Sequence, residues 1–182
     1  GISMIHVSQP MTTVPEHFST PLQELVYRTL TRLSIPFQRV ENDPAITMED
    51  CQAIDDRLQM QTVKTLFLCN RQQTAFYLFV TPGDKPFRTK DFSSALGVSR
   101  VSFATPEQLL QLLGTVVGAA TVFGLLLSSA REVRLVFDRA LESSEWYGCT
   151  DGTTTGYMKL RTRDVLDRLL PCTGHTLEWV EV

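Results

Sequence analysis

Residues 62–69 constrain the fold more than any other stretch, because they form a strand pattern that is apolar on both faces. Side chains alternate along a strand, so Leu66 and Leu68 share one face while Phe67 points to the other. A strand with two apolar faces must be covered on both sides. The segment therefore predicts a strand enclosed between two layers of the fold.

Lys64 places an ammonium group on the leucine face of this strand, close to its start. A lysine in this position either extends along apolar surface to reach water or points into a partly dry pocket. Lysine is rarely buried without a partner, which favours the first arrangement. In the second arrangement, the ammonium can bind an anion or stabilise negative charge that develops during a reaction.

Length and composition predict one globular domain, with 182 residues of which 43% are hydrophobic and 20% charged. The net charge of −3 argues against DNA binding and against any grip on RNA through bulk positive charge, although a local RNA contact stays open. The four cysteines form no C-x-x-C pair, and only three histidines are present. We therefore expect free thiols in a reducing compartment, no metal site and no cofactor.

The apolar stretches are too short for a membrane protein. The longest, residues 116–127, is interrupted by Gly118, Thr121 and Gly124 and falls short of a bilayer span. The N-terminus lacks the pattern of a signal peptide, which predicts a cytoplasmic protein. Gly1 in place of a starting methionine suggests that the first residues come from an expression vector and that Met4 is the natural start.

Signals for helix starts and turns predict the order of the elements. Residues 1–18 show no period and predict an N-terminal arm, followed by a single domain over residues 19–182. Thr20 and Thr47 mark two helix starts, and the strand that contains Lys64 is predicted to pair with the next one as a hairpin. Because strands and helices do not alternate regularly, the order favours an α+β domain with a mixed sheet.

Two later segments have compositions typical of ligand-binding loops. Residues 114–125 contain three glycines and two alanines among apolar residues, so their backbone N–H groups could face an anion or a carbonyl oxygen. A buried, closely packed segment would have the same composition. Residues 146–155 are rich in hydroxyl groups around an Asp-Gly turn and predict a loop.

Four segments, taken in order, resemble the YbaK/ProX family, which comprises the editing domain associated with prolyl-tRNA synthetase and its free-standing relatives. They are residues 63–68, 76–78, 100–109 and the glycine-rich stretch that ends at Leu125, within a match over residues 20–182. The resemblance implies an α+β domain whose mixed, barrel-like β-sheet is flanked by helices. It also implies hydrolysis in trans of the ester in mischarged tRNA, with Ala- or Cys-tRNA(Pro) expected as substrate. Such editing is needed because a synthetase pocket rejects a smaller amino acid only weakly.

The resemblance also implies roles for particular residues. Lys64 takes the position of the family's essential lysine, residues 118–122 that of its substrate loop and residues 147–151 that of a late loop. The candidate substrate-binding residues are Thr65, Gly118, Ala119, Ala120, Thr121, Tyr147, Cys149 and Asp151. Basic side chains that could contact the tRNA acceptor stem are Arg28, Arg32, Lys85, Arg88 and Lys90, for which a solvated surface is the alternative.

Three positions depart from the family pattern. Thr65 replaces a frequent asparagine, Val122 replaces the loop proline, and Tyr147 or Gly148 occupies the place of the late-loop histidine. These differences bear on amino-acid specificity and on whether activity is retained. The prediction is therefore a free-standing aminoacyl-tRNA deacylase that meets its substrate through prolyl-tRNA synthetase or an elongation factor. The alternatives are a catalytically silent module that binds tRNA or a synthetase, and a small-molecule binder.

Three residues of the late loop have two interpretations each. Cys149 is a candidate nucleophile, although no histidine lies near it in sequence. Asp151 either acts as a general base or braces its own Asp-Gly turn. Trp146 and Tyr147 either stack on the terminal adenine or belong to the core.

Overall fold

The computed structural model describes residues 5–182, in which two β-sheets are flanked by helices. The inference about Gly1 and Met4 lies outside the described residues. Within them, every helix is too short or too polar to span a bilayer. The α+β class predicted from the sequence is confirmed, and the two sheets together have a barrel-like arrangement that does not close.

The larger sheet has five strands in the order β4-β2-β3-β5-β8. The predicted hairpin is present: β2 and β3 are antiparallel, with Lys64 opposite Thr81. The outer neighbours β5 and β8 run parallel to β3 and to each other, which makes the sheet mixed. Its strands are β2 (Lys64–Asn70), β3 (Phe76–Thr81), β4 (Val101–Phe103), β5 (Arg134–Asp138) and β8 (Leu177–Val180).

The smaller sheet is antiparallel, in the order β1-β7-β6, and consists of β1 (Gln38–Glu41), β6 (Trp146–Thr150) and β7 (Gly156–Arg161). The two sheets meet just before β2, where the Val63 N–H donates to the Gly148 carbonyl oxygen at 2.9 Å. Residues 5–18 run beside β1, and the backbones of Met11 and Arg39 exchange two hydrogen bonds of 2.8 Å. The described part of the predicted arm thus lies against the domain.

Capping residues account for where several helices begin and end. At Thr20 and at Thr105, the hydroxyl accepts a hydrogen bond from the backbone N–H three residues later, and a proline follows at the first helical position. Gly97 and Gly114 end two helices in the left-handed conformation. The helices are α1 (Pro21–Arg32), α2 (Gln52–Leu58), α3 (Thr89–Leu96), α4 (Pro106–Leu113), α5 (Thr162–Asp164) and α6 (Leu170–Cys172); a π-helical turn, Val165–Leu169, joins the last two, and short 3₁₀ helices cover Val122–Leu126, Ser128–Ala130 and Arg139–Leu141.

Both faces of β2 are covered, as its pattern predicts. Leu68 packs into a cluster with Phe79 and Phe92 on the side of α3. Phe67 packs into the larger cluster, which extends to Val26 of α1. The strand therefore separates two parts of the core, and Lys64 at its first position lies where the two sheets meet.

Two predicted elements differ from the structure. Residues 146–150 form strand β6 and not a loop, because each of them pairs with a residue of β7, from Arg161 to Tyr157. The second helix begins at Gln52 and not at Thr47. The Thr47 hydroxyl does accept the Asp50 N–H at 3.2 Å, but this contact closes a turn that precedes the helix.

Candidate active site

A cavity of about 480 Å³ opens where the two sheets meet. The start of β2, the turn before α2, the end of β4, the glycine-rich segment and the end of β6 all contribute to its wall. Its volume falls within the usual range of small-molecule sites, about 300–1,000 Å³. The lining residues are Ile46, Thr47, Met48, Cys51, Thr62, Val63, Lys64, Thr65, Leu66, Phe67, Phe103, Ala104, Thr105, Pro106, Leu109, Val117, Gly118, Ala120, Cys149, Thr150 and Tyr157.

Lys64 is the only charged side chain among the described residues that line this cavity. The side chain is half-buried, and its Nζ donates a hydrogen bond to the Lys85 carbonyl oxygen. An ammonium has three N–H donors, so two remain for a bound group or water. The structure therefore favours the pocket arrangement of Lys64 over full extension into water.

Behind Lys64, the Lys85 side chain forms an ion pair with a carboxylate that the sequence did not single out. The Lys85 Nζ lies 2.8 Å from Asp138 Oδ2, and Asp138 is only 1% exposed. The same carboxylate accepts the Thr81 hydroxyl at 2.8 Å and the Ala140 N–H at 3.0 Å. The buried charge of Asp138 is thus both paired and hydrogen-bonded.

The glycine-rich segment contributes backbone to the cavity at Gly118 and Ala120. Gly118 has φ +91°, and a Cβ on it would lie 3.0 Å from the Ile46 Cα, so the close approach of the two chains requires glycine. Among the described residues, neither the Gly118 N–H nor the Ala120 N–H has a hydrogen-bond acceptor, whereas the Ala119 N–H donates to Val116. Two backbone donors are therefore available at the wall of the cavity.

The other two predicted residues of this segment are buried and do not line the cavity. Ala119 is fully enclosed, and the Thr121 hydroxyl accepts the Phe123 N–H at 3.3 Å at the start of the 3₁₀ helix Val122–Leu126. Val122 is also buried in the core. The ligand-binding interpretation of the segment thus applies to Gly118 and Ala120, which line the cavity. The packing interpretation applies to Ala119, Thr121 and Val122, which are buried.

Cys149 lines the cavity from β6 but is nearly buried. Burial, together with the nearby Asp151 charge, raises the pKa of its thiol well above the usual value. The thiolate is the nucleophilic form of cysteine, and it is strongly disfavoured here. The structure therefore gives no support to Cys149 as a nucleophile and leaves it as a neutral wall residue.

Asp151 lies outside the cavity lining and joins α1 to the turn between β6 and β7. Its carboxylate accepts hydrogen bonds from Gln23 Nε2 at 2.9 Å, from the Tyr27 hydroxyl at 3.0 Å, and from the Thr153 hydroxyl at 2.7 Å and backbone N–H at 3.2 Å. Burial raises its pKa, and these hydrogen bonds oppose the shift. The contacts agree with the interpretation that Asp151 braces its turn.

The late-loop aromatic residues occupy different environments. The Tyr147 ring is 1% exposed and stacks on Phe137, with ring centroids 6.2 Å apart, and does not line the cavity. A core role for Tyr147 thus agrees with its burial, and stacking on a substrate base does not. Trp146 is half-buried, and the Lys159 Nζ lies 4.4 Å from the centre of its ring. One face of the Trp146 ring therefore already makes a cation–π contact.

None of the five basic candidates for tRNA contact lines the cavity. Arg28 pairs with Glu24 at 2.7 Å, and Arg32 donates to the Cys172 sulfur at 3.3 Å. Lys85 is engaged with Asp138, as described above. Arg88 and Lys90 are exposed at the start of α3, shortly after the turn that holds Lys85.

Sequence reasoning missed the apolar rim of the cavity, formed by Ile46, Phe103 and Val117. Each exposes at least half of its surface, at 58%, 58% and 53% respectively. Phe103 ends β4, and its ring meets Phe87 edge-on at 5.9 Å. Their apolar side chains make such residues core candidates from the sequence, and only the assembled fold shows that they remain exposed.

The fold and cavity define an α+β domain with a ligand-sized site at the junction of two sheets. Among solved structures, a hypothetical protein, APE2540, has a TM-score of 0.65 and 21% identity, and the alignment covers 86% of this chain and 98% of that one. A candidate trans-editing enzyme for prolyl-tRNA synthetase has a TM-score of 0.63 and 20% identity, over 91% and 99% of the two chains. These likenesses show the shared fold.

The model of the aminoacyl-tRNA editing domain family matches residues 42–167. The prolyl-tRNA editing protein ProX of Acetoanaerobium sticklandii is 28% identical over 160 residues, which is 88% of this chain and 97% of that protein. The chain therefore belongs to the aminoacyl-tRNA editing domain family, the YbaK/ProX family, as the sequence resemblance predicted. It is an enzyme of the deacylase class, which hydrolyses the ester of mischarged aminoacyl-tRNA.

Proposed function

We propose that this protein is a free-standing trans-editing deacylase that removes alanine or cysteine from mischarged tRNA(Pro). The observation that carries the proposal is an open cavity of about 480 Å³ whose only charged lining residue, within the described chain, is Lys64. A cavity of this size has room for a small amino acid joined to a ribose. The name of the ProX relative supports prolyl-tRNA as the tRNA concerned.

The proposed reaction is attack of water on the carbonyl carbon of the aminoacyl ester. The bond from that carbon to the ribose oxygen breaks, and the ribose oxygen takes up the proton that water releases. The Gly118 and Ala120 N–H groups donate to the carbonyl oxygen as it becomes negative, while the Lys64 ammonium contacts the terminal phosphate or the developing charge. No protein nucleophile is required, which agrees with the raised pKa of the Cys149 thiol.

We propose that Thr65 is the departure from the family pattern that affects amino-acid specificity. Thr65 is half-buried and lines the cavity. Val122 and Tyr147 are buried in the core and Gly148 packs against Met60 and Gln61, so none of these three contacts a bound substrate directly. Changing Thr65 to asparagine should therefore alter the ratio of alanine to cysteine removal more than a change at either buried position.

The unpaired 3′ end of tRNA is proposed to enter across the apolar rim, where the exposed Phe103 ring offers a surface for the terminal base. Arg88 and Lys90 are proposed to contact backbone phosphates, as are Arg28 and Arg32 with their outward positions on α1. With a net charge of only −3, the protein has no general attraction for RNA. We propose encounter through prolyl-tRNA synthetase or an elongation factor, in the cytoplasm.

The first test measures hydrolysis of Ala-, Cys-, Ser- and Pro-charged tRNA(Pro) by the purified protein and by the Lys64→Ala variant. The expected result is rapid loss of the alanyl or cysteinyl species, no loss of Pro-tRNA(Pro), and a decrease of about 100-fold or more in the variant. Lys159→Ala is a matched control, because Lys159 is a half-buried lysine of β7 outside the cavity. Hydrolysis of none of the four species by a folded wild-type protein would overturn the proposal.

The cavity favours the enzyme over the catalytically silent module, since room for a small amino acid beside Lys64 supports editing, whereas a cavity filled by side chains would support the silent module. The two functions separate in one further measurement. If the folded protein binds uncharged and mischarged tRNA(Pro) equally well and does not deacylate the mischarged species, the silent module replaces the deacylase.

A further inference from the structure

We propose that Lys85 and Asp138 form a positioning pair that holds the Lys64 ammonium at the cavity. The role of Lys64 in hydrolysis rests on the proposed function, whereas the holding arrangement rests on geometry alone. The pair lies behind Lys64 and outside the cavity lining. Lys85 is thereby assigned a role different from the phosphate contact that its position in the sequence suggested.

The contacts run in one direct series from the cavity to a buried anchor. The Lys64 Nζ donates to the Lys85 carbonyl oxygen, and the Lys85 Nζ lies 2.8 Å from Asp138 Oδ2. The acceptor of Lys64 and the partner of Asp138 thus belong to the same residue. The Lys85 N–H also donates to the Pro82 carbonyl at 3.1 Å, so this residue is held at its backbone and at its side-chain end.

Asp138 is held in place firmly, because its buried carboxylate accepts hydrogen bonds from two groups besides Lys85. It ends β5, is 1% exposed, and accepts the Thr81 hydroxyl and the Ala140 N–H besides Lys85. Thr81 is the direct cross-strand partner of Lys64 in the β2–β3 ladder. Strand β3 therefore holds both ends of this arrangement. Its Thr81 pairs with the backbone of Lys64 and also donates its hydroxyl to Asp138.

The pair also makes the two neighbouring lysines, Lys64 and Lys85, differ in whether a carboxylate compensates their charge. The charge of Lys85 is compensated by Asp138, whereas Lys64 has only a neutral carbonyl partner. Among the described residues, no carboxylate pairs with the Lys64 ammonium, so an anionic group in the cavity can do so. Supporting residues of this kind fix the orientation of a group that contacts substrate, and small displacements of such a group are costly to the rate.

The test removes the pair without leaving an unpaired buried charge, by combining Lys85→Met with Asp138→Asn. Asparagine retains an oxygen for Thr81 or Ala140. We expect kcat for the mischarged substrate to fall about 10- to 100-fold, with KM changed less than about twofold. Lys85→Arg with Asp138 unchanged keeps the ion pair and should retain most of the wild-type rate. In a Lys64→Ala background, the double change should have no further effect, because its action passes through Lys64.

Two results would overturn the pair as a positioning device. One is an unchanged kcat in the folded double variant, and the other is an equal loss in the Lys64→Ala background, which would indicate direct contact of Lys85 with substrate. If the wild-type protein hydrolyses none of the four charged tRNAs, the proposed function fails and the pair is tested by acetylation of Lys64 with acetic anhydride, followed by mass spectrometry. Faster acetylation of Lys64 in the double variant supports the pair, and an unchanged rate overturns it.

Discussion

Two buried carboxylates near the junction of the sheets, Asp138 and Asp151, have the same exposure, 1%, but entirely different partners. Asp138 faces the ammonium of Lys85. Asp151 is surrounded by the neutral donors of Gln23, Tyr27 and Thr153. One carboxylate therefore belongs to a charged group next to the cavity, and the other to a neutral network in the framework.

The difference shows that burial of a carboxylate does not by itself identify a catalytic base. The raised pKa of Asp151 would attract attention in a search for functional residues. Its hydrogen bonds connect α1 to the turn between β6 and β7, and it does not line the cavity that contains Lys64. Asp138, whose partner Lys85 contacts Lys64 through a backbone carbonyl, is the carboxylate connected to the site.

The largest effect expected from changing either carboxylate is the loss of stability that follows Asp151→Asn. Both carboxylate oxygens accept hydrogen bonds, so the new amide NH₂ must face a donor and leave at least one N–H without an acceptor. We expect the free energy of unfolding to fall by about 3 kcal/mol, with deacylation per folded molecule retained. Chemical denaturation measures the first quantity and active-site-normalised hydrolysis the second.

The control for this prediction is Asp56→Asn, which changes an exposed carboxylate that accepts a hydrogen bond from Gln52 and should cost less than about 0.5 kcal/mol. If the folded Asp151→Asn protein lost hydrolysis as completely as Lys64→Ala, Asp151 would belong to the catalytic site and the distinction between the two carboxylates would be wrong.

A smaller loss of stability is expected when either of two glycines is replaced by alanine. Gly118 borders the cavity and Gly152 lies beside Asp151; both have positive φ, and a Cβ would meet Ile46 at 3.0 Å or Leu22 at 2.9 Å. Each alanine substitution should cost about 1–2 kcal/mol of stability. Only Gly118→Ala should also lower kcat/KM, because it displaces the backbone that lines the cavity.

Gly97→Ala provides the control for strain without contact, since Gly97 has φ +74° and nothing lies within 4 Å of its added Cβ. A lowered kcat/KM in folded Gly152→Ala, equal to that in Gly118→Ala, would show that the two regions are not functionally separate.

The smallest expected effect is a dependence of stability on pH that comes from Asp151. Its pKa is raised above the ordinary value of 3.8, so the folded protein holds this proton more strongly than the unfolded chain does. Its contribution to stability is greatest below pH 3.8 and declines as pH rises through the folded-state pKa, with a slope of at most about 1.4 kcal/mol per pH unit. The stability difference between wild type and Asp151→Asn should therefore shrink over that range. A difference that grows with pH would reverse the assigned direction of the shift.

Local patterns predicted much of the fold from the sequence. The helix start predicted at Thr20 is present, with the Thr20 hydroxyl accepting the Gln23 N–H at the beginning of α1. Strand β2 has its two apolar faces in two different parts of the core. These features depend on neighbours within a few residues, which is why their pattern is legible in the chain itself.

Long-range pairing explains what the sequence did not predict. Residues 146–150 were predicted as part of a hydroxyl-rich loop over residues 146–155, and they form a strand because β7 supplies their hydrogen bonds. The candidate site was divided in the same way: Lys64, Thr65, Gly118, Ala120 and Cys149 line the cavity, while Ala119, Thr121, Tyr147 and Asp151 are buried elsewhere.

Local patterns in the chain were enough to predict the Thr20 cap, the β2–β3 hairpin, the family and the lysine at the start of β2. Only the tertiary structure decided that Lys64 faces a cavity, that Asp138 supports it through Lys85, and that Asp151 supports α1 instead. The physical reason is distance along the chain: Lys85 and Asp138 are 53 residues apart, and Asp151 is 124 residues from Tyr27. Partners so far apart in sequence are chosen by sheet order and packing, which no local pattern records.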